Sequence, residues 1–224
     1  TVMRHGEVVA DLVTAETNRE QLAELMVGRK VLLRVDKPPA RPGAALLEVE
    51  HLDVVDAQGV RRVKDVSFTV RAGEIVGIAG VSGNGQSELL AALAGMTRPA
   101  AGRILVDGRD VRAEAGVRDA AGMRRLGVGH VPEDRIHEGL VTAFQAQENA
   151  ILGYHTRPGF NGPILMDAEK ILETTRVYMN DFDVRPRDPT LRCGNFSGGN
   201  QQKLIVAREM EQDPRVLLVG QPTR

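Results

Sequence analysis

The stretch GIAGVSGNGQSELL, residues 77–90, constrains the fold more than any other part of this 224-residue sequence. It follows an apolar run and nearly matches the phosphate-binding pattern of Gly, four residues, Gly-Lys and then Ser or Thr. Gly80, Gly85 and Ser87 fit this pattern, whereas Gln86 stands where the Lys belongs. Glycines at this spacing let backbone N–H groups turn toward phosphate oxygens, and the N-terminus of a following helix adds a favourable field. The loop therefore predicts a phosphate site between a strand and a helix.

Charge and composition narrow the classes of function. The net charge of −1 gives no electrostatic basis for binding nucleic acid or anionic lipid. Aromatic residues make up only 3% of the chain, which disfavours stacking platforms for single-stranded nucleic acid. The one cysteine, Cys193, excludes an internal disulfide and fits a reducing compartment. No apolar run reaches the roughly 18–20 residues that a membrane-spanning helix needs.

Pro and Gly residues, which interrupt regular secondary structure, divide the chain into three parts. Residues 1–28 predict a short hairpin around Gly6 followed by an amphipathic helix at 18–27, which the Thr17/Asn18 cap region starts and Gly28 stops. Prolines make the connector at 29–44 stiff. A new domain starts at 45. Since the chain begins with Thr rather than Met and stops directly after a strand-like run, we expect it to be a piece of a longer protein.

Strands and helices alternate through residues 45–224, which predicts an α/β nucleotide-binding core. The predicted strands lie at 46–55, 60–71, 74–79, 102–111, 125–132 and 215–220, the one at 74–79 being buried. The predicted helices lie at 87–95, 143–152, 167–182 and 197–212. The stretch from about 140 to 190 is predominantly helical and is predicted to be an insertion into this core.

A second glycine-rich motif lies far downstream of the loop. It reads NFSGGNQQKLIVAREM, residues 195–210, and its helix is expected to start with Ser197 as the cap. Glycines at the start of a helix allow close backbone approach to a phosphate. The final strand then reads VLLVGQPTR, residues 216–224.

These motifs, in this order and at this spacing, resemble the ATPases of ABC transporters. Residues 196–202 resemble the signature sequence of that family, and 216–224 resemble its Walker B strand, in which four apolar residues precede Asp-Glu-Pro-Thr. The resemblance covers residues 45–224. It implies a P-loop NTPase core of the ABC ATPase type, with an antiparallel β subdomain and a helical insertion.

Further motifs resemble the monosaccharide-uptake branch of the family, such as ribose or galactose importers. They are FSGGNQQK, GQPTR, and VPEDR at 131–135, where Glu133 stands at the Q-loop Gln position. Nucleoside importers share these features and favour GNGQSE and a Gln-Pro-Thr-Arg ending. In both groups one polypeptide carries two ATPase domains, so that 1–28 resembles the tail of the first and 45–224 most of the second. The switch His would then lie beyond Arg224.

Several departures from the family pattern bear on catalysis. ATPases of this kind need a Lys on the β- and γ-phosphates, Mg²⁺ held by the loop Ser and the strand Asp, and a carboxylate that polarises water. Here Ser87 is kept, but Gln86, Gly220 and Gln221 replace the Lys, the Asp and the Glu. No aromatic residue lies in 54–63, where an adenine-stacking ring would be expected. We therefore expect this loop to bind ATP and Mg²⁺ weakly or not at all, and not to hydrolyse ATP.

The signature matches the family pattern throughout, and the resemblance implies that it completes a site whose loop lies in a partner domain. Whether this chain is itself an enzyme is left open, although the full-length protein resembles an ATPase. The candidate phosphate-loop residues are Gly80, Ser82, Gly83, Asn84, Gly85, Gln86, Ser87 and Glu88, with Ser87 as a weak Mg²⁺ ligand. The candidate signature residues are Ser197, Gly198, Gly199, Asn200 and Gln201. Glu133 is the Q-loop equivalent, and Gly220 with Gln221 form a degenerate Walker B.

The resemblance also implies partners and a location. The partners would be membrane permease subunits, the first ATPase domain of the same chain, a second copy of the protein and, indirectly, a periplasmic or lipid-anchored binding protein. The protein would sit peripherally on the cytoplasmic face of the plasma membrane, and nucleic acid is not expected. Three alternatives stay open: a nucleoside importer, a soluble tandem ATPase-like factor, and a structural remnant. Adjacent Asp134 and Arg135 could form a simple local ion pair, worth little if exposed.

Overall fold

The computed structural model describes residues 1–4, 6–28, 38–114, 116–117, 119–162 and 164–221. The chain divides into two compact units, Thr1–Ala40 and Arg41–Arg224. Most of the predicted linker, namely 29–37, lies outside the described residues, as does the Pro-Thr-Arg ending at 222–224. None of the described helices combines the length and the hydropathy that crossing a bilayer requires.

The first unit contains a hairpin and a helix. Strands β1 (Val2–Arg4) and β2 (Glu7–Ala10) pair antiparallel around Gly6. Helix α1 (Arg19–Val27) begins at Asn18, whose side chain accepts a hydrogen bond from the backbone of Gln21 at 2.8 Å. It ends at Gly28 with a φ of 80°, a left-handed conformation that glycine adopts without steric cost.

The second unit starts with a four-stranded antiparallel sheet. Its strands are β3 (Ala45–Val55), β4 (Arg61–Arg71), β5 (Ala101–Val106) and β6 (Arg109–Asp110), in the order β4-β3-β5-β6. One face of β3 buries Leu47 and Val49 and then, after a register shift, Leu52 and Val54. The inward residues therefore keep facing the core even though the alternation slips by one between Val49 and Leu52.

Helices and a parallel strand pair complete the second unit. Helix α2 (Gln86–Leu93) follows the glycine-rich loop and packs on β3 and β4. The remaining helices are α3 (Ala120–Arg125), α4 (Ala146–Ala150), α5 (Ala168–Asp181) and α6 (Gly198–Met210). Strands β7 (Val128–Val131) and β8 (Val216–Val219) pair in parallel, which brings the residues that follow each strand to the same edge.

The predicted buried strand at 74–79 is wrong. No strand is found at these residues, and the side chains of Ile75 and Ile78 are 85% and 54% exposed. A strand needs a neighbour for its backbone hydrogen bonds, and none of the strands in the described part of the chain pairs with this run. Residues 74–78 and β8 instead line a common cavity of about 830 Å³. The apolar composition of residues 74–79 predicts that their side chains are buried, but no other described residues pack around Ile75 and Ile78 closely enough to bury them.

The helix predicted at 143–152 is shorter than expected. Helix α4 begins after Gln145, whose backbone N–H donates to the carboxylate of Glu148 at 2.7 Å in a capping box. The helix ends at Ala150, and Gly153 then adopts a φ of 84°. The cap and the left-handed glycine limit the helix, which the apolar spacing alone could not reveal.

A buried cluster of polar side chains joins α6 to β7 and to the segment after α4. We call Tyr154, Arg208 and Glu209, together with His130, the Glu209 cluster. Glu209 is fully buried; it accepts hydrogen bonds from Tyr154 Oη at 2.6 Å and from Arg208 Nε at 2.8 Å. Arg208 also donates to the carbonyl oxygen of Gly139 at 2.9 Å. The cluster thus pairs a buried anion with a buried cation and satisfies both with further hydrogen bonds.

His130 makes the stability of the fold depend on pH. The pKa of His130 is lowered to about 4, chiefly by burial; the positive charges of Arg124 and Arg208 add to this effect and the negative charge of Glu209 opposes it. In the unfolded state the imidazole has a pKa of about 6.5 and therefore binds a proton at a higher pH than it does in the folded state. The free energy of unfolding should accordingly fall as pH drops from about 6.5 toward 4, by up to about 3 kcal/mol. Urea unfolding at a series of pH values measures this slope.

Replacing His130 by Gln should remove this part of the pH dependence. His155→Gln, a change at an exposed position, is the matched control and should leave the slope as it is in the wild type. An unchanged slope in His130→Gln would contradict the assignment.

Candidate functional site

The glycine-rich loop connects the run at 74–80 to the first turn of α2. Gly83 and Gly85 have φ values of 86° and 99°, which only glycine adopts readily. Gly85 is also tightly packed, since a Cβ there would lie 2.6 Å from the carbonyl oxygen of Arg62. Gly83 has open space around it. The loop therefore has one glycine that holds it against the sheet and another that leaves its outer side free for a ligand.

Gln86 folds back over the loop. Its Nε2 occupies the place where a Cβ at Gly80 would be, so that Gly80 is needed to accommodate this amide. The amide is a neutral donor, where the family pattern has a charged one. The positive charge that a phosphate would meet at this position is missing.

Three polar side chains meet beside the loop. Ser87 Oγ donates a hydrogen bond to Glu133 Oε2 at 2.5 Å, and Gln221 Nε2 donates to Glu133 Oε1 at 2.8 Å. Glu133 follows β7 and Gln221 follows β8, so the parallel pairing of these strands brings them together. Gly80, Gln86 and all three of these residues line the cavity of about 830 Å³.

Gly220 is packed against the same carboxylate. A Cβ at this position would lie 2.6 Å from Glu133 Cγ, 2.8 Å from the Glu133 backbone nitrogen and 2.9 Å from Leu90 Cδ2. Atoms at such distances overlap, so a side chain at 220 and the present position of Glu133 exclude each other.

The signature motif forms the N-terminus of α6. Ser197 occupies the cap position as predicted, but its side chain makes no hydrogen bond to the backbone of the first turn. Its Oγ instead accepts from Asn200 Nδ2 at 2.9 Å. Gly199 is exposed and has no atom near the position of a Cβ, so its backbone is open to close approach.

Arg135 links the segment after β7 to the signature. A Cβ at Gly198 would lie 2.6 Å from Arg135 Nη2, and Arg135 Nε donates to Gln201 Oε1 at 3.2 Å. Asp134 and Arg135, which could have formed a local ion pair, have other partners in the described part of the chain. Asp134 contacts His137 at 2.7 Å instead, and its side chain caps the following turn by accepting hydrogen bonds from the backbone of Ile136 and His137. Hydrogen bonding to His137 lowers the pKa of Asp134.

The structure groups the predicted site residues in two places. The cavity brings together Gly80, Ser82, Gly83, Gln86, Ser87, Glu133, Gly220 and Gln221. Asn84, Gly85 and Glu88 lie in the loop or the first turn of α2 but do not line the cavity. The signature residues lie at the start of α6 and do not line it either.

The family resemblance implies a Mg²⁺ ion bound together with the nucleotide, and the side chains beside the loop can be compared with the ligands that this ion needs. Among the described residues, no group of three or more His, Cys, Asp or Glu side chains could hold a metal ion by itself. Mg²⁺, however, is usually bound by one or two protein oxygens together with phosphate oxygens and water. Ser87 Oγ and Glu133 Oε2 provide two adjacent oxygens next to the loop, and Glu133 fills the room that Gly220 leaves. These residues fit the ion, which would screen phosphate charge there.

Two contacts between side chains of the candidate site were not predicted from the sequence. The contact of Leu90 with position 220 and the hydrogen bond of Arg135 to Gln201 join residues far apart in the chain. The sequence carried one signal of this arrangement. Relative to the family pattern, the acid at position 220 is missing, and an acid, Glu133, stands where the pattern has Gln. The two departures meet in space, and only the structure shows it.

The comparisons with known proteins agree on one family. The family described as "ABC transporter" matches residues 63–224. The guanosine import ATP-binding protein NupO of Bacillus subtilis (strain 168) is 38% identical over 224 residues. The nucleoside import ATP-binding protein NupA of Lactococcus lactis subsp. cremoris is 39% identical over 224 residues, and the glucose import ATP-binding protein TsgD13 of Haloferax volcanii is 40% identical over 226.

All three alignments cover the whole of this chain. They cover 43% of NupO, 44% of NupA and 40% of TsgD13, so the chain spans less than half the length of these relatives.

A solved structure supports the fold. The ATP-binding cassette MJ0796, in a dimeric post-hydrolysis state bound to ADP and Pi, superposes with a TM-score of 0.64 at 22% identity. The superposition covers 80% of this chain and 75% of that one. This likeness confirms the predicted P-loop NTPase core with its antiparallel sheet and helices.

Proposed function

Because the chain belongs to the ABC transporter family, we propose that it is part of the ATP-binding subunit of an importer for a simple sugar or a nucleoside. The observation that carries this proposal is the similarity over the whole chain to import ATP-binding proteins. ATP, with Mg²⁺, is the nucleotide that the family implies. In this proposal residues 1–28 are the tail of a first ATPase domain, 29–44 a linker, and 45–224 part of a second.

The phosphate loop of this domain binds nucleotide loosely or not at all and does not hydrolyse it. Hydrogen bonds to charged groups contribute about 1.5–3 kcal/mol and neutral ones about 0.5–1.5, so Gln86 in place of Lys weakens binding by roughly tenfold. Gln221 hydrogen-bonds to Glu133, and its amide accepts no proton near neutral pH, so it can orient a water molecule but not act as a base.

In contrast to the phosphate loop, the signature is expected to take part in binding and hydrolysing ATP. Ser197 and Gly199 are exposed, and Gly199 leaves the first turn of α6 accessible. An N-terminus of this kind stabilises a negative charge. The signature of this domain would complete a site whose phosphate loop lies in a partner ATPase domain, with Ser197 and the 198–200 backbone on the γ-phosphate.

The partners follow from this role. Two ATPase domains, from the same chain or from a second copy, pack head to tail and bind permease subunits at the cytoplasmic face of the membrane. The helical stretch 143–182, which contains α4 and α5, would contact those subunits, and a substrate-binding protein would act through them.

Both substrate classes belong to the proposal, and one observation favours nucleosides. The loop contains GNGQSE, and residues 221–224 read Gln-Pro-Thr-Arg, two motifs that the nucleoside importers favour.

ATP turnover of the complete protein, reconstituted with its permease and binding protein, tests the proposal. Guanosine or adenosine, or else ribose, galactose or glucose, should stimulate turnover, whereas an amino acid should not. No stimulation by either class would contradict it.

A further inference from the structure

We propose that Arg135 is a further residue of the signature site, where its guanidinium binds the terminal phosphate of the nucleotide held by the partner domain. Arg135 lies in the segment after β7, more than sixty residues before the signature in the chain, and belongs to neither motif of the site. This inference rests on the proposed role of the signature and adds a positively charged side chain to it.

The space around Gly198 is the first argument. Gly198 is the first residue of α6, and a Cβ there would lie 2.6 Å from Arg135 Nη2 and 3.1 Å from Arg135 Cζ. Atoms at such distances overlap, so a side chain at 198 and the present position of the guanidinium exclude each other. Glycine at 198 therefore lets Arg135 reach the start of the helix, beside the residue that follows the exposed Ser197.

The hydrogen bonds of the guanidinium are the second argument. Arg135 Nε donates to Gln201 Oε1 at 3.2 Å. Gln201 is 6% exposed, and its own Nε2 donates to the carbonyl oxygen of Cys193 at 2.9 Å, so the amide that holds Arg135 is itself fixed. The two terminal nitrogens of Arg135 find no acceptor among the described residues. Their N–H groups have the planar arrangement that matches phosphate oxygens.

The charge balance is the third argument. A guanidinium is always protonated in proteins, and Arg135 forms no ion pair within the described ranges. The N-terminus of a helix carries a partial positive charge, so a cation beside the start of α6 is disfavoured. A neutral side chain would serve packing alone better than Arg135 does. An anion between the guanidinium and the helix turns this repulsion into attraction, and the terminal phosphate at the signature is such an anion.

ATP turnover and the trapping of ADP with fluoroaluminate, which mimics the terminal phosphate, test the inference on the complete protein assembled with its permease. Arg135→Gln and Arg135→Met remove the charge and should each lower kcat about 10²-fold, the effect of losing one preorganised anion-stabilising group. Both should also weaken trapping, while affinity for ADP alone stays unchanged because ADP lacks the terminal phosphate. Arg135→Lys should retain more of both activities, since the charge remains and only the planar geometry is lost.

Arg109→Gln, which removes an exposed arginine from β6, is the matched control and should behave as the wild type does. Thermal unfolding identifies variants that fail to fold, and the two neutral substitutions at 135 keep the test open if one of them does. Normal turnover and trapping in the neutral variants, or an equal loss in Arg135→Lys, would overturn the inference. Ser197→Arg is measured beside them. A loss of turnover in Ser197→Arg alone would leave the proposed role of the signature standing, whereas no loss in any variant would contradict both.

Discussion

Glu209→Ala should lower the free energy of unfolding by about 3–5 kcal/mol, because it leaves the guanidinium of Arg208 buried without its anion. Arg208 is 3% exposed, and its other described hydrogen bonds go to the neutral carbonyl oxygens of Gly139 and Asn149. Tyr154 Oη also loses its acceptor. The expected loss is a large part of the stability of an ordinary domain. Urea unfolding of the complete protein, followed by circular dichroism, measures it.

The control for this change lies two residues further along the chain. Glu211 is exposed, and Glu211→Ala should change the stability by no more than about 0.5 kcal/mol. Tyr154→Phe should cost less than Glu209→Ala, since the ion pair with Arg208 remains. A Glu209→Ala variant as stable as Glu211→Ala would show that Arg208 finds another partner, and would contradict the role assigned to this cluster.

Ser197→Arg should reduce ATP turnover of the complete protein by about 10²–10³-fold, the range seen when one preorganised anion-stabilising group is lost. Ser197 and Gly199 are exposed at the start of α6, and the long Arg side chain would fill the approach to their backbone. The loss follows if the partner domain's γ-phosphate binds here. Steady-state turnover, together with ATP binding, separates a defect in catalysis from a defect in affinity.

The matched control introduces the same residue at the far end of the same helix. Glu211→Arg adds an Arg after α6, at an exposed position away from the signature, and should leave turnover near that of the wild type. Normal turnover in Ser197→Arg would mean that the signature of this domain faces no catalytic site.

The sequence predicted most elements of this fold because their signals are local. The cap at Asn18, the left-handed Gly28 and the alternation along β3 each depend on neighbouring residues. The prediction of a buried strand at 74–79 is wrong because burial depends on which strands and side chains lie beside this run, and composition does not carry that information.

The candidate site likewise contains features that the sequence predicts and features that only the structure shows. The sequence pattern predicts a loop before the helix at 87–95, a helix start at Ser197 and a strand at 215–220, and the structure has a helix start or a strand at each of these places. The meeting of Ser87, Glu133 and Gln221 was not predicted, since it depends on the parallel pairing of β7 with β8. The packing of Glu133 against Gly220 is also a tertiary fact. Sequence patterns thus locate these segments, and strand pairing determines which of their side chains meet.

The central claim is that this domain has an inactive phosphate loop and a working signature. ATP turnover of the complete two-domain protein tests it most directly, in the wild type, in Gln86→Ala, and in a Lys→Ala variant of the first domain's phosphate loop. The account predicts that turnover is lost only with the first-domain change. Equal loss from both changes would contradict it and would mean that the loop with Gln86 is a working catalytic site.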